Sequence, residues 1–245
     1  MGMVGLPERD VRMVAGEVHI WHIPLGGPAG LIHTSRNLLS ADEVQRADRF
    51  HFEKDRHAFI IARAAMRQIL GHYGNVAPKN LIFSYGPRGK PGLSPEVNLI
   101  KFNLSHSQEF ALLAVAQGLC LGIDIEFVNQ TIAVEEIAER FFSPNEVRAL
   151  SAFAGRQKVE AFYSCWTRKE AYIKALGEGL SVPLDSFDVA FDAEAPAALL
   201  RVRTSPDEVS RWSMYDIVMP PTYKAAVVVE GKTHRLRRWQ WPLGF

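Results

Sequence analysis

The sequence has only two cysteines, almost no net charge and no long apolar segment. Cys120 and Cys165 both lie in apolar surroundings, are too few for a disulfide framework and lack the spacing of a metal site, so a reducing cytoplasm is predicted. Its 28 basic and 27 acidic residues give a formal charge of +1, which offers no general attraction to nucleic acid or to an anionic membrane. Any anion site must therefore be local.

Membrane spans and secretion signals are also missing from the pattern. The least polar run, residues 110–125, is interrupted by Gln117 and Gly118 and contains Asp124, so it falls short of the ~20 apolar residues of a membrane helix. The first 16 residues carry charges at positions 8, 9, 10 and 12, where a secretion signal needs an apolar core. We therefore expect a soluble protein without a membrane partner.

Hydrophobic periodicity predicts helices followed by strands in the first half of the chain. Ser40 and Glu43 form a capping-box pattern for a helix through Phe50, and a longer helix is predicted from about residue 55 to 70, ended by Gly71. Strands are predicted at residues 18–23, 81–85, 99–103, 110–116 and 121–127, with residues 117–120 as a hairpin turn between the last two.

The second half repeats this order. Helices are predicted at residues 134–141, 144–152 and 158–176, and strands around residues 187, 199, 214 and 225–230. The repeated order indicates an α+β fold of two similar lobes, residues 1–118 and 119–245, each with helices packed on a mostly antiparallel sheet.

Two carboxylates alternate with apolar residues in the predicted strand 121–127. Asp124 and Glu126 therefore lie side by side on one face of that strand. An isolated Asp-x-Glu pair is often a solvated polar face. The alternative is a site for Mg²⁺, which takes oxygen ligands and commonly uses one or two carboxylates together with substrate phosphate.

A third carboxylate lies in the helix predicted at 158–176. Trp166, Glu170 and Lys174 fall on one face, beside Tyr163. A surface Glu–Lys pair, or a capping box of Thr167 and Glu170, would account for part of this pattern. The apolar neighbours and the continuous helical pattern favour a carboxylate and a lysine that reach one anion.

Two loops and one row of arginines are candidate anion sites. The segment 103–107 reads as a turn, or together with the basic loop 88–91 as a phosphate site. Arg56, Arg63 and Arg67 share one face of the helix predicted at 55–70, and Arg46 lies on the preceding helix. Such rows are commonly solvated or paired within the protein, although arginine is also the preferred bidentate partner of phosphate.

Taken in order, five motifs resemble the 4′-phosphopantetheinyl transferases of the surfactin-synthetase-activating type. The motifs are Gly89-Lys90-Pro91, Asn103-Leu104-Ser105-His106, Gly122-Ile123-Asp124-Ile125-Glu126, Phe141-Phe142-Ser143-Pro144-Asn145-Glu146 and Trp166-x-x-Lys169-Glu170-Ala171-x-x-Lys174. The likeness continues through residues 179–187 and covers residues 40–189. Motifs in a fixed order are more specific than any one alone.

This resemblance implies transfer of the phosphopantetheine arm of coenzyme A to a serine of an acyl or peptidyl carrier protein, with release of adenosine 3′,5′-bisphosphate. It implies a monomer whose two lobes are related by a pseudo-twofold axis, with coenzyme A as co-substrate and Mg²⁺ as cofactor. The family's metal ligands match Asp124, Glu126 and Glu170. Its coenzyme A contacts match Arg46, Arg88, Lys90, Pro91, Asn103, Ser105, His106 and Lys174.

Roles for these residues follow from the resemblance and from the chemistry of phosphoryl transfer. Glu170, Lys174 and His106 are the expected catalytic residues, with Glu170 or a metal-bound water as the base. Lys174 would bind the pyrophosphate, while Lys90 and His106 would hold the 3′-phosphate. Residues 129–148 are expected to offer the apolar docking patch for the carrier, unless they belong to the core. The carrier itself, from fatty acid, polyketide or nonribosomal peptide synthesis, is open, and the rival interpretation is a non-catalytic relative that binds coenzyme A.

Overall fold

A computed structural model describes residues 11–94, 99–177, 182–192 and 195–241. These residues form two compact units. The first comprises the described residues of Met1–Tyr85, Pro91–Gly118 and Arg235–Phe245, and the second comprises those of Gly86–Lys90 and Leu119–His234. The predictions for residues 1–10 and 179–181 concern positions outside the described ranges.

Helices and strands occur in both halves of the chain. The elements before residue 119 are β1 (Glu17–Pro24), α1 (Ala29–Arg36), α2 (Ala41–Asp48), α3 (Glu53–Gly74), β2 (Phe83–Tyr85), β3 (Pro91–Leu93), β4 (Ile100–Ser107) and β5 (Phe110–Gln117). The later elements are β6 (Leu121–Phe127), α4 (Val134–Phe141), α5 (Pro144–Leu150), α6 (Gly155–Leu176), β7 (Phe187–Val189), β8 (Leu199–Val202), α7 (Glu208–Arg211), β9 (Trp212–Asp216), β10 (Tyr223–Glu230) and β11 (Arg235–Gln240). Single 3-10 turns occupy Pro78–Asn80 and Leu184–Ser186.

The first unit is built on a four-stranded sheet in the order β11-β1-β5-β4. Strands β1, β5 and β4 pair antiparallel, whereas β11 runs parallel to β1. Its core joins Trp21 of β1 and Val115 of β5 to Ile61 and Met66 of the long helix α3. Apolar residues from neighbouring strands and from one helix thus bury a common face.

Helix α3 runs past the residue predicted to end it. Gly71 lies inside the helix, and a Cβ atom there would come within 2.6 Å of the carbonyl oxygen of Val76. The helix ends instead at Asn75, whose φ of 50° is the left-handed conformation common at helix C-termini. This glycine therefore allows a close backbone contact and does not stop the helix.

The second unit contains the antiparallel sheet β6-β10-β9, with α6 packed on β6 and β10. A Cβ atom on Gly122 would overlap backbone atoms of Ala171, Lys174 and Ala175. Only glycine at this position lets β6 and α6 approach so closely. The contact lies two residues before Asp124 and beside Lys174, so it sets the geometry of the charged residues around them.

The α+β fold class is confirmed, as are β6 and α4 with their predicted bounds. The predicted hairpin at residues 117–120 is wrong, because β5 pairs with β1 and β4 while β6 pairs with β10. The predicted second lobe, residues 119–245, does not coincide with the second unit. Strand β11 pairs with β1 of the first unit, and Gly86–Lys90 belongs to the second unit.

No helix in the described ranges is both long and apolar enough to cross a membrane.

Candidate active site

A buried ion pair connects β6 to α6 in the second unit. Lys174 Nζ donates a hydrogen bond of 2.5 Å to Oδ1 of Asp124. The Asp124 side chain is 3% exposed and that of Lys174 is 29% exposed, so the carboxylate is enclosed while the ammonium reaches solvent. The Lys174 side chain is thus able to contact both a carboxylate and a solute.

Glu170 lies one helical turn before Lys174 and is half-buried. Burial raises the pKa of its carboxyl group, and the negative charge of Asp124 raises that pKa further, while Lys174 lowers it. Asp124, Glu170 and Lys174 therefore form one electrostatic cluster. The capping-box alternative for Glu170 is wrong, because Thr167 lies within α6 and donates to the carbonyl of Tyr163.

Glu126 follows Asp124 by two residues on β6 and is partly exposed. Its charge contributes to a raised pKa of Tyr163, whose burial is the larger cause. Across the described ranges, however, no group of three or more His, Cys, Asp or Glu residues is placed to hold a metal ion. The carboxylates of Asp124, Glu126 and Glu170, the predicted metal ligands, thus do not converge on one point in this structure. The Lys174 ammonium contacts Asp124 instead.

The chemistry of these donors nevertheless fits a hard cation. All three groups offer carboxylate oxygens, the ligand type that Mg²⁺ prefers. The raised pKa of Glu170 reflects, besides burial, repulsion from Asp124 that a divalent cation would relieve. The side chains could hold the ion only together with further oxygen atoms, such as those of a substrate phosphate.

Lys90 binds backbone carbonyls in this structure, and its predicted role as a phosphate ligand is not tested by these contacts. Its Nζ donates to the backbone carbonyls of Leu121 at 3.0 Å, Lys174 at 2.5 Å and Ala175 at 3.3 Å. Arg88, in the same loop, is exposed, and Pro91 begins β3. The ammonium of Lys90 is therefore directed at protein carbonyls in this structure.

The predicted turn at residues 103–107 is wrong, since Asn103, Ser105 and His106 all lie within β4. Asn103 and Ser105 are buried, whereas His106 is exposed. Because successive side chains of a strand alternate, His106 leaves β4 on the face opposite to Ser105. These residues belong to the first unit, and their predicted contacts with coenzyme A stay predictions.

The arginine row of α3 is engaged within the first unit. Arg67 Nε donates to Oε2 of Glu43 at 2.6 Å, and Arg63 Nε donates to the other oxygen at 2.8 Å. Arg56 donates to the carbonyl of Phe50. These contacts favour the alternative that the arginines of this row are paired within the protein. Arg46 is exposed, with its guanidinium carbon 5.2 Å from the centre of the Phe59 ring.

Several apolar residues of the predicted docking patch, residues 129–148, belong to the core of the second unit or pack against it. Val134 and Phe142 are 2% and 3% exposed, and Ile132 and Phe141 pack against them from the edge of the same cluster. Val134 and Phe142 are thus core residues, whereas Ile132 and Phe141 are only partly buried. A docking patch for a carrier at this edge of the cluster stays a prediction.

The sequence did not predict a buried network of charged residues next to Glu170. Lys169 Nζ lies 2.7 Å from Oε2 of Glu146 and donates to the carbonyls of Leu184 and Phe187. Glu146 also accepts hydrogen bonds from the backbone N–H groups of Ser143 and Val189. The Ser143-x-x-Glu146 spacing signalled the capping box, but no sequence pattern paired Glu146 with Lys169.

Comparisons with known proteins show which family the chain belongs to. The family model described as 4′-phosphopantetheinyl transferase superfamily matches residues 120–228, and the model of the 4′-phosphopantetheinyl transferase N-terminal region matches residues 31–118. The chain therefore belongs to the 4′-phosphopantetheinyl transferase superfamily, and it is an enzyme of that class.

Individual relatives extend the match over nearly the whole chain. The 4′-phosphopantetheinyl transferase HetI of Nostoc sp. (strain PCC 7120) is 38% identical over 235 residues, which is 95% of each chain. The transferase Sfp of Bacillus subtilis (strain 168) is 31% identical over 78% of this chain and 82% of its own. A holo-(acyl-carrier-protein) synthase structure from Bacillus anthracis is 23% identical over 46% of this chain and 96% of its own, with a TM-score of 0.37.

Proposed function

We propose that this enzyme moves the 4′-phosphopantetheine arm of coenzyme A to a serine hydroxyl of an apo acyl or peptidyl carrier protein, with Mg²⁺, and releases adenosine 3′,5′-bisphosphate. The observation that carries the proposal is the cluster of Asp124, Glu170 and Lys174 within a chain of this family. We also expect a monomer in a reducing cytoplasm.

The reaction is a phosphoryl transfer in which one bond replaces another. The serine Oγ forms a bond to the phosphorus that carries the pantetheine arm. The bond from that phosphorus to the bridging oxygen breaks, and its electron pair leaves with adenosine 3′,5′-bisphosphate. Charge develops on the pyrophosphate oxygens, so the enzyme must offer positive charge there and remove the serine proton.

Residues of the second unit fit these two tasks. Asp124 and Glu126 would hold Mg²⁺, with Glu170 as a third ligand, and the bound ion would neutralise charge on the pyrophosphate. Glu170, or a water held by the ion, would take the serine proton, and burial makes the Glu170 carboxylate more basic than one in water. Lys174 would donate to a phosphate oxygen from its partly exposed position.

Residues of the first unit and of the basic loop would bind the nucleotide. We assign Arg46, Ser105 and His106 to coenzyme A, together with Asn103, and Arg88 from the loop of Gly86–Lys90. His106 and Arg46 are exposed and able to meet a phosphate. Pro91 stays a candidate contact at the start of β3.

Intact mass spectrometry tests the proposal. Purified apo carriers of the fatty acid, polyketide and nonribosomal peptide classes are incubated with the enzyme, coenzyme A and Mg²⁺. We expect a gain of roughly 340 Da on at least one carrier, lost with EDTA and restored by excess Mg²⁺. Binding of coenzyme A by calorimetry without any mass gain would contradict the proposal and favour a non-catalytic role.

A further inference from the structure

The loop Gly86–Lys90 is a compact structure that projects one lysine. Gly86 N–H donates to the carbonyl of Lys90 at 2.9 Å, and Gly89 N–H donates to the carbonyl of Gly86 at 2.9 Å. Gly89 has a φ of 79°, a left-handed conformation that favours glycine. These two bonds close the loop, so the backbone of Lys90 is held in a defined position.

The Lys90 ammonium meets backbone carbonyls of two elements. Two of its acceptors, Lys174 and Ala175, lie in the last turn of α6, and the third, Leu121, is the first residue of β6. Carbonyls in the last turn of a helix lack partners within the helix and carry its partial negative charge. The positive ammonium of Lys90 thus lies against carbonyl oxygens that carry partial negative charge.

The stem of Lys90 crosses the residue that ends α6. Gly177 has a φ of 76°, and its N–H donates to the carbonyl of Ile173. The Lys90 Cδ atom lies 3.4 Å from the position that a Cβ of Gly177 would occupy. The aliphatic stem therefore packs at the helix terminus, while the ammonium reaches the junction where Gly122 brings β6 against α6.

This junction determines how the charged cluster is aligned. Asp124 lies three residues after Leu121 on β6, and Lys174 is itself one of the residues whose carbonyl Lys90 binds. A shift of α6 along β6 would change the 2.5 Å contact between Asp124 and Lys174 and the placement of Glu170. The bonds of Lys90 oppose that shift.

We propose that Lys90 is a positioning residue, which fastens the end of α6 to the start of β6 and thereby aligns Asp124, Glu170 and Lys174, and that it does not bind a phosphate of the nucleotide. This inference rests on the proposed transfer reaction. It replaces the role that the sequence motif suggested for Lys90.

Steady-state transfer kinetics with coenzyme A and with its 3′-dephospho form separate the two roles. The variant Lys90→Met keeps the stem and removes the ammonium, and Lys79→Met alters an exposed lysine of the first unit as a matched control. We expect Lys90→Met to lower kcat by ~10- to 100-fold, by the same factor for both substrates, with little change in KM for coenzyme A. Lys90→Arg should recover part of kcat, and Lys79→Met should match the wild type.

A ligand role predicts the opposite pattern. If Lys90→Met raises KM for coenzyme A more than for the 3′-dephospho form and leaves kcat unchanged, the positioning role is overturned. If Lys90→Met does not fold, the same comparison is made with Lys90→Arg, which keeps the charge but not the geometry of the ammonium. A selective rise in KM for that variant would overturn the proposal in the same way.

Amide hydrogen exchange tests, without any reaction, whether Lys90 fastens the end of α6 to β6. In the intact enzyme without substrate, we expect the amides of residues 173–177 to exchange faster in Lys90→Met than in wild type or Lys79→Met. Unchanged exchange there would overturn the proposal. This measurement needs no carrier, so it tests the contacts of Lys90 independently of transfer. A wild-type enzyme that transfers nothing would contradict the proposed function and would leave this test intact.

Discussion

Lys174 lies 2.5 Å from Asp124 and makes the last turn of α6 a direct neighbour of the central part of β6. The lysine is the basic residue of that turn, where the helix carries partial negative charge. Its ammonium is therefore stabilised by both the helix terminus and a buried carboxylate. A substrate phosphate that attracts Lys174 must compete with Asp124, which links substrate binding to the charge state of the cluster.

Replacing Glu170 with glutamine should remove the base and one metal ligand. We expect Glu170→Gln to lower transfer by ~10²- to 10⁴-fold, because a glutamine cannot accept the serine proton. Binding of coenzyme A, measured by calorimetry, should stay within a few-fold of wild type. Glu160→Gln, at the surface of the same helix, is the control. Undiminished turnover in Glu170→Gln would exclude Glu170 from both roles.

Gly122→Ala should destabilise the second unit and disturb its charged cluster. The added Cβ would overlap backbone atoms of Ala171 and Ala175, and backbone cannot turn away as a side chain does. We expect a loss of ~2 kcal/mol or more in the free energy of unfolding, measured with denaturant. Gly30→Ala, within α1 and with open space around it, should be neutral or stabilising by up to ~1 kcal/mol. Equal effects of the two substitutions would contradict this interpretation.

Lys169 and Glu146 should behave as a coupled pair. Their side chains are 0% and 3% exposed, so removing one partner leaves a buried charge without its counter-charge. We expect Lys169→Met alone to cost ~3–5 kcal/mol in the free energy of unfolding. The double variant with Glu146→Gln should cost less than the sum of the single changes. Strict additivity in the double-mutant cycle would show that the pair does not interact.

A second buried network lies in the first unit. Trp21 Nε1 donates to the Tyr73 hydroxyl at 3.0 Å, which donates to His19 Nδ1 at 2.6 Å. His19 Nε2 then donates to Glu17 at 3.2 Å, and Arg237 donates to the other oxygen of Glu17. Every member has a partner when His19 is neutral with its proton on Nε2, so this is the form that the fold favours.

Stability should therefore fall on mild acidification. Burial lowers the pKa of His19 and also that of His22 below the ordinary value of 6.5. The unfolded chain then binds protons at a higher pH than the folded one, so their contribution is complete above pH 6.5 and is lost as the pH falls below it. We expect up to ~1.4 kcal/mol per pH unit for each histidine.

Denaturant unfolding between pH 7.5 and 5 measures this slope. The variant His19→Gln should be less steep than wild type over that range, whatever its stability at pH 7.5. His57→Gln, which replaces a solvent-accessible histidine of α3, should keep the wild-type slope. A slope in His19→Gln as steep as that of wild type would mean that His19 does not link protons to folding.

Sequence patterns predicted the elements that carry Asp124 and Glu170 because those elements obey simple periods. Strict alternation gave β6 its bounds, and a continuous helical stripe placed Glu170 and Lys174 on one face of α6. The partners of Lys90 were missed for a physical reason. Backbone carbonyls are present at every residue, so a lysine that binds them leaves no sequence signal.

Other errors arose where tertiary contacts decided between local alternatives. Turn residues at 117–120 favoured a hairpin between β5 and β6, but these two strands pair within different sheets. The helix row containing Arg63 and Arg67 was correctly seen to share a face, yet its partner Glu43 lies on α2. A pairing across elements cannot be read from the period of one element.

The pairing of β11 with β1 makes the second unit an insertion within the first. Arg237 and Glu17, joined by a hydrogen bond, lie 220 positions apart along the chain. During synthesis on the ribosome, the edge of β1 that pairs with β11 stays unpaired until residues 235–240 have been made. Strands β6, β9 and β10 are all made before them. The unit that contains Asp124 can therefore assemble its sheet while the sheet of the first unit is still incomplete.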